Sequence, residues 1–305
     1  AQPYYSKTPD VATRGRFSPS LFSGVQFNSG GYSAEYGQAL SSVLVLNSTD
    51  VAATDVTGVS LMTIGAEGNI TKAFRNSSIM ASGSYMNMWP YHKIFPSKLN
   101  WTKPVESASI NLAHRYKPSS QSIWKNYFYA DLGNMGYSTL EADNNKFSLS
   151  NKNRSFYLNS NFRDCFSEKS CYNVGISSTY ESNTTDLNGS PIETREISAE
   201  GKGTYFYQIG EGISLNMGIN ETFSQYNQEV FNSTNEQLYE ADLTDHTMGM
   251  FAESEIKFSK YVAIKPGIRG EYGTLLKKGS LSPRFSVAVK TGKNSQLSGA
   301  YGIYY

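Results

Sequence analysis

The chain has 305 residues, with 27 basic and 26 acidic side chains and a net charge of +1. That near-balance, without basic blocks, argues against a nucleic-acid partner held by phosphate neutralisation, and no apolar run approaches the roughly eighteen residues of a membrane-spanning helix. Two cysteines and three histidines leave little for a zinc cluster, whereas 22 Tyr, 16 Phe and 26 Gly beside abundant Ser and Asn form a composition of strands and turns.

The first residues, Ala1-Gln2-Pro3-Tyr4-Tyr5, lack the basic start and apolar stretch of a signal peptide. Residues 1–52 are glycine-rich and irregular. They contain Arg16-Phe17-Ser18-Pro19 and then the run from Ser29 to Leu46, SGGYSAEYGQALSSVLVL. Gly30, Gly31 and Gly37 permit tight or left-handed turns. Between them stand Ala34, Glu35 and Tyr36, and the Glu35 carboxylate is either an exposed turn residue or a paired one. Val43, Val45 and Leu46 predict a buried strand.

From about residue 57 onward the signal is period two, which puts alternate side chains on opposite faces of a strand. Ile213, Leu215, Met217 and Ile219 alternate with Ser214, Asn216, Gly218 and Asn220. Comparable rows run through Met248–Phe258, Val262–Tyr272 and Phe285–Val289. Several last about ten residues, the length a tilted strand needs to cross a bilayer. Short polar turns at 75–77, 118–120, 210–212, 259–260 and 292–294 separate longer predicted loops at 89–107, 133–146, 183–194, 227–244 and 274–282. The pattern predicts about thirteen strands between 57 and 305. Short turns on one side and long loops on the other suit an outer-membrane barrel; a soluble β-sandwich or lectin-like domain shares the alternation but favours shorter strands. The last residues, with Leu297, Tyr301, Ile303 and Tyr305 alternating, stop inside a strand, as a slice of a longer polypeptide would.

Enzyme chemistry is not indicated. His92, His114 and His246 have no metalloenzyme spacing, Gly201-Lys202-Gly203 lies within an alternating strand, and no cofactor fingerprint is present. Cys165 and Cys171 flank a predicted turn and are either a disulfide across a hairpin or two free thiols; a metal there lacks further ligands nearby. In the loop at 89–107, Trp89, Tyr91, Phe95 and Trp101 are candidates for ligand contact or for an interfacial aromatic girdle.

The run at 29–46 resembles the end of the plug domain of TonB-dependent outer-membrane receptors, where a SAEYGQALSS stretch feeds a plug strand just before the first barrel strand. Leu281-Ser282-Pro283-Arg284-Phe285 and Ser298-Gly299-Ala300-Tyr301-Gly302 look like mid-barrel strands of that family. The resemblance implies an all-β fold in which 1–52 are the C-terminal part of the plug and 53–305 are part of an antiparallel transmembrane β-barrel of about 22 strands. It implies that Glu35 sits near the barrel wall and pairs with wall arginines, and that the 89–107 loop is extracellular. Implied partners are outer-membrane lipids, the TonB energy-transducing complex acting through a plug segment outside this sequence, and a surface lipoprotein. The implied function is TonB-coupled uptake. A receptor-like barrel serving as a structural subunit and a soluble carbohydrate-binding β domain are the other classes the residues allow.

Overall fold

The computed structural model describes residues 21–28, 30–38, 42–95, 99–140, 146–233 and 236–304. Two sheets account for nearly all of them. The smaller is an antiparallel pair, β1 (Phe22–Asn28) with β2 (Val43–Ser48). The larger has 13 strands in strict chain order, each antiparallel to the next. It runs through β3 (Val56–Met62), β4 (Gly65–Ala73), β5 (Ser77–Asn87), β6 (Asn100–Tyr116), β7 (Ile123–Leu140), β8 (Lys146–Ser167) and β9 (Ser170–Leu187). It continues through β10 (Ser190–Gly210), β11 (Ile213–Asn232), β12 (Gln237–Lys257), β13 (Val262–Gly273), β14 (Lys278–Lys290) and β15 (Gln296–Gly302). Among the described residues a single short helix, α1 (Trp89–Ile94), lies between β5 and β6. Among the described residues β3 and β15 do not pair with each other, so the sheet is open at both edges.

The two faces of this sheet reverse the polarity of a water-soluble protein. Side chains turned outward include Ile176 and Met250, exposed by 59% and 66%, together with Leu158, Val174, Ile219 and Leu281. Turned inward and buried are Ser78, Ser155, Asn151, Arg115, Arg269 and Ser282. An apolar outer row over a polar inner row is what lipid outside and a wet lumen inside require. Outward aromatics bracket the belt on β8 and β9. Phe162, Phe166 and Tyr172 lie toward the short-turn end, where Phe166 packs on Tyr172 at 5.0 Å. Phe156 and Tyr180 lie further along, 6.0 Å apart. Ten residues on β8, Phe156 to Phe166, and eight on β9, Tyr172 to Tyr180, separate the outermost rings, about 20–25 Å of height for tilted strands, which matches the apolar band of a transmembrane barrel.

The strands are longer than alternation predicts. β8 has 22 residues, and β10 and β12 have 21 each, about twice what a bilayer needs. Most of the predicted loops at 133–146, 183–194, 227–244 and 274–282 are therefore strand, and so are residues 100–107. Beyond the lipid both faces meet water, so the apolar alternation stops while the backbone ladder continues. The 183–194 segment is a tight hairpin. Asn188 and Gly189 take φ of 53° and 83°, the positive values a two-residue primed turn demands. Asp186 Oδ1 accepts from the Gly189 N–H at 2.9 Å, and Asn188 Oδ1 accepts from the Ser148 N–H at 2.7 Å. At the opposite end, Cys165 and Cys171 are direct cross-strand neighbours on β8 and β9, with Cα atoms 4.0 Å apart, and are disulfide-bonded.

The small sheet leans on the inner wall near the short-turn end. Leu21 packs with Met80 and Ala113, flanked by Phe22 and Tyr127. Contrary to the sequence reading, β2 is half-buried along its length instead of buried.

Candidate functional site

The segment from Gly30 to Gln38 lies against the inner face of β10–β15, and side chains from five strands converge on it. Two wall arginines take up its backbone carbonyls. Arg284 Nη1 donates to Ser33 O at 2.5 Å and Tyr36 O at 2.8 Å, while Arg269 Nη1 donates to Ala34 O and Glu35 O at 3.4 and 3.3 Å. The Arg269 side chain is only 1% exposed and is balanced by Glu271 at 2.8 Å, with Asn220 Oδ1 accepting from Nη2 at 2.7 Å. From the same wall Glu253 accepts from Ser33 Oγ at 2.8 Å and from the Ala34 N–H at 2.9 Å, and Lys265 holds the carboxylate at 2.7 Å. Arg284 also packs over the rings of Tyr32 and Tyr304, 4.8 Å from each centroid.

Each residue of the motif has a defined place. Gly30 borders an open groove beside β14 and β15. Gly31 has φ +62°, and a Cβ there would stand 2.4 Å from that of Ala300, so both conformation and space call for glycine. Ala34 is fully buried. Gly37 faces the ion pair: an added Cβ would lie 2.1 Å from Glu271 Oε1 and 2.5 Å from Arg269 Nε. Ser29 and Ala39–Ser41 fall outside the described residues. Glu35 departs from expectation. Its carboxylate pairs with Lys202 at 2.8 Å and accepts from Asn216 at 3.2 Å, whereas the wall arginines bind the backbone beside it. An arginine fork satisfies two neighbouring carbonyls at once, which leaves the carboxylate to the more flexible lysine.

Electrostatics favour one protonation state. Lys202 lies over the Tyr36 ring at 5.0 Å. Burial, with the nearby Glu35 and Glu253 charges, pushes the Tyr36 phenol up to about 12. A polar cavity of about 460 Å³ opens next to Glu35, between it and Arg163, Asn173 and Lys265. A second anchor holds the exit from β2. Asp50 pairs with Lys125 at 2.9 Å and Lys117 at 3.4 Å, Lys125 also donates to Ser48 O at 3.0 Å, and Ala52 N–H donates to Ser78 Oγ at 3.1 Å. The Lys125 hydrogen bond, together with the Lys125 and Lys117 charges, holds the Asp50 carboxyl below its usual range. Chemically the arrangement is a clamp: polar bonds that water can replace one by one, in contrast to an interlocked apolar core.

The loop aromatics divide into two groups. Trp101 stacks on His92 at 4.6 Å and meets Tyr137 at 5.7 Å, over a cluster of Val105, Met135 and Leu149. Trp89, Tyr91 and Phe95 remain exposed on or beside α1. Trp101 thus packs, and only the other three face outward from the loop. Lys202, Glu253, Arg269 and Arg284 were not legible as site residues. Their one signal was charge in the polar, inward row of alternating strands.

No protein-family model matches the sequence, and no curated protein does. Solved structures do. The chain is similar to the copper transporter OprC, with a TM-score of 0.70 and 9% identity over 94% of this chain and 50% of that one. It is similar to the FrpB iron transporter of Neisseria meningitidis, with a TM-score of 0.68 and 12% identity over 93% and 52%. The RagAB peptide importer matches with a TM-score of 0.55 and 10% identity over 78% of this chain and 36% of that one. The chain therefore spans about half the length, or less, of the transporters it matches. At identities this low the likeness is one of fold alone, and that fold is the one shared by the TonB-dependent outer-membrane receptors.

Proposed function

We propose that residues 1–52 are the C-terminal part of a plug and 53–305 the first part of a barrel of about 22 strands, in a receptor that takes up a substrate across the bacterial outer membrane with energy relayed through TonB. The observation that carries this reading is the clamp on residues 31–37. A segment threaded along the lumen and held by replaceable polar bonds is suited to being held at rest and released under an external pull, which shifts a conformational equilibrium without covalent chemistry. The short-turn end, where this segment enters, is then periplasmic, and α1 with Trp89, Tyr91 and Phe95 lies outside, available for ligand contact. The transporters it resembles in fold carry copper, iron and peptides by their descriptions, so fold does not choose the cargo. Unpaired strand edges are not tolerated in lipid, which favours further strands joining β15 to β3.

The test is the intact mass of the denatured polypeptide recovered from outer membranes, with binding of the purified protein to the periplasmic domain of TonB. A mass far above 33.8 kDa and measurable binding are expected. A mass near 33.8 kDa removes the large-barrel reading. A large mass without binding moves the protein to the structural-subunit reading.

A further inference from the structure

The small sheet leaves a gap against the wall. Between β1–β2 and the inner faces of β6, β7 and β8 lies a cavity of about 270 Å³. Its lining is largely apolar, with Leu21 and Leu44 on the side of the small sheet and Tyr127 and Tyr157 on the wall. Its charge comes from Arg115 and Lys125, direct cross-strand neighbours on β6 and β7. Like charges placed opposite one another repel, and these two are answered unequally. Lys125 pairs with Asp50 at 2.9 Å and donates to Ser48 O at 3.0 Å. Arg115 is only 4% exposed. Among the described residues it makes no ion pair and a single hydrogen bond, from Nη2 to Leu21 O at 3.5 Å, beyond the ordinary range for such a bond. The carboxylate that attracts it, Asp50, is already shared by Lys125 and Lys117. A guanidinium is rich in N–H donors, and a buried donor without an acceptor is costly.

We propose that this cavity binds a carboxylate that carries an apolar tail. The head follows from the guanidinium, whose parallel N–H groups match the two oxygens of a carboxylate. Charge sets its valence. Asp50 cancels Lys125, so Arg115 leaves a single positive charge, which one carboxylate neutralises and a phosphate dianion exceeds. The tail follows from the lining: Leu21, Leu44 and the two tyrosines offer a small polar anion nothing, and reward apolar surface withdrawn from water. A ligand seated here touches the small sheet and the wall together, so it also ties one to the other. Nothing in this site depends on coupling to TonB.

The experiment titrates the full-length protein, reconstituted in lipid nanodiscs, with octanoate and in parallel with octanol and acetate, reading heats of binding by calorimetry. Octanoate should bind saturably, one per chain, and the neutral alcohol and the tailless acid roughly ten-fold more weakly or worse, each lacking one half of the recognition. Arg115→Gln should weaken octanoate by a similar factor. Leu44→Trp, which fills the cavity and spares the cation, should abolish binding. Equal binding of octanoate and octanol, or full octanoate binding in either variant while its circular dichroism stays that of wild type, overturns the site. Acetate binding as tightly as octanoate assigns the cation to small soluble anions and also overturns it. Should both variants fail to fold, amide exchange in the wild-type protein decides. Octanoate should slow exchange through Val43–Ser48 and leave β10 and β11 unchanged, and no slowing there overturns the proposal. Loss of TonB binding would remove the transport reading and leave this site standing.

Discussion

Arg269 shows what one buried charge can do here. Its guanidinium is almost wholly enclosed, yet it meets Glu271, Asn220 and two carbonyls of the 31–37 segment. Replacing it by Met leaves the Glu271 carboxylate, itself only 10% exposed, without its cation, and breaking such a buried pair typically costs about 3–5 kcal/mol. Faster amide exchange through Ser33–Gly37 with unchanged exchange in β8 and β9 is the expected result; uniform slow exchange would remove Arg269 from the clamp. Titration gives a second handle. Tyr36 is neutral when clamped and its pKa is raised, so its contribution is complete below the unfolded value of about 10 and is lost as pH rises through about 12. Asp50 is ionised when clamped and its pKa is depressed, so its contribution is present above about pH 4 and is lost as pH falls through the lowered value. A spin label at the exposed Gln38 should stay immobile between about pH 5 and 9 and gain mobility outside that window. Mobility rising near pH 7 would contradict this. Of these residues the sequence exposed Gly31 and Gly37, because glycine marks backbone constraint. It concealed the arginines, because an inward charge on a barrel strand looks the same as any lumen residue.

At the scale of the strand, legibility followed the lipid. Ile213–Ile219 on β11 was readable because every second residue had to be apolar. The continuation of β11 to Asn232, and of β12 back to Gln237, carried no such pattern, since hydrogen-bonded backbone in water places few demands on side chains. Asn188-Gly189 was a turn signal that a long-loop expectation overrode. The belt itself is testable at Ile176, which lies midway between Tyr172 and Tyr180 on β9. Ile176→Arg should cost about 2–4 kcal/mol in equilibrium refolding into bilayers, as arginine does near the midplane of other barrels. The same change at Ser182, beyond the belt, should cost under about 1 kcal/mol. Equal costs at the two positions would mean that the bracket drawn by the aromatics is misplaced.

For the whole molecule, the open edges of β3 and β15 dominate. A chain of residues 1–305 expressed by itself should refold into oligomers or aggregates, since unpaired ladders seek partners; a monodisperse, heat-modifiable monomer would argue against a larger barrel. Sequence separation has another consequence. Every strand of the sheet pairs with its immediate successor, so the wall can grow hairpin by hairpin through short loop closures. The clamp is the opposite case: Ser33 meets Glu253 across 220 residues and Arg284 across 251. Residues 31–37 are made first and can be seated only after β12–β14 exist, so during biogenesis the segment has to wait, unclamped, for the far wall to arrive.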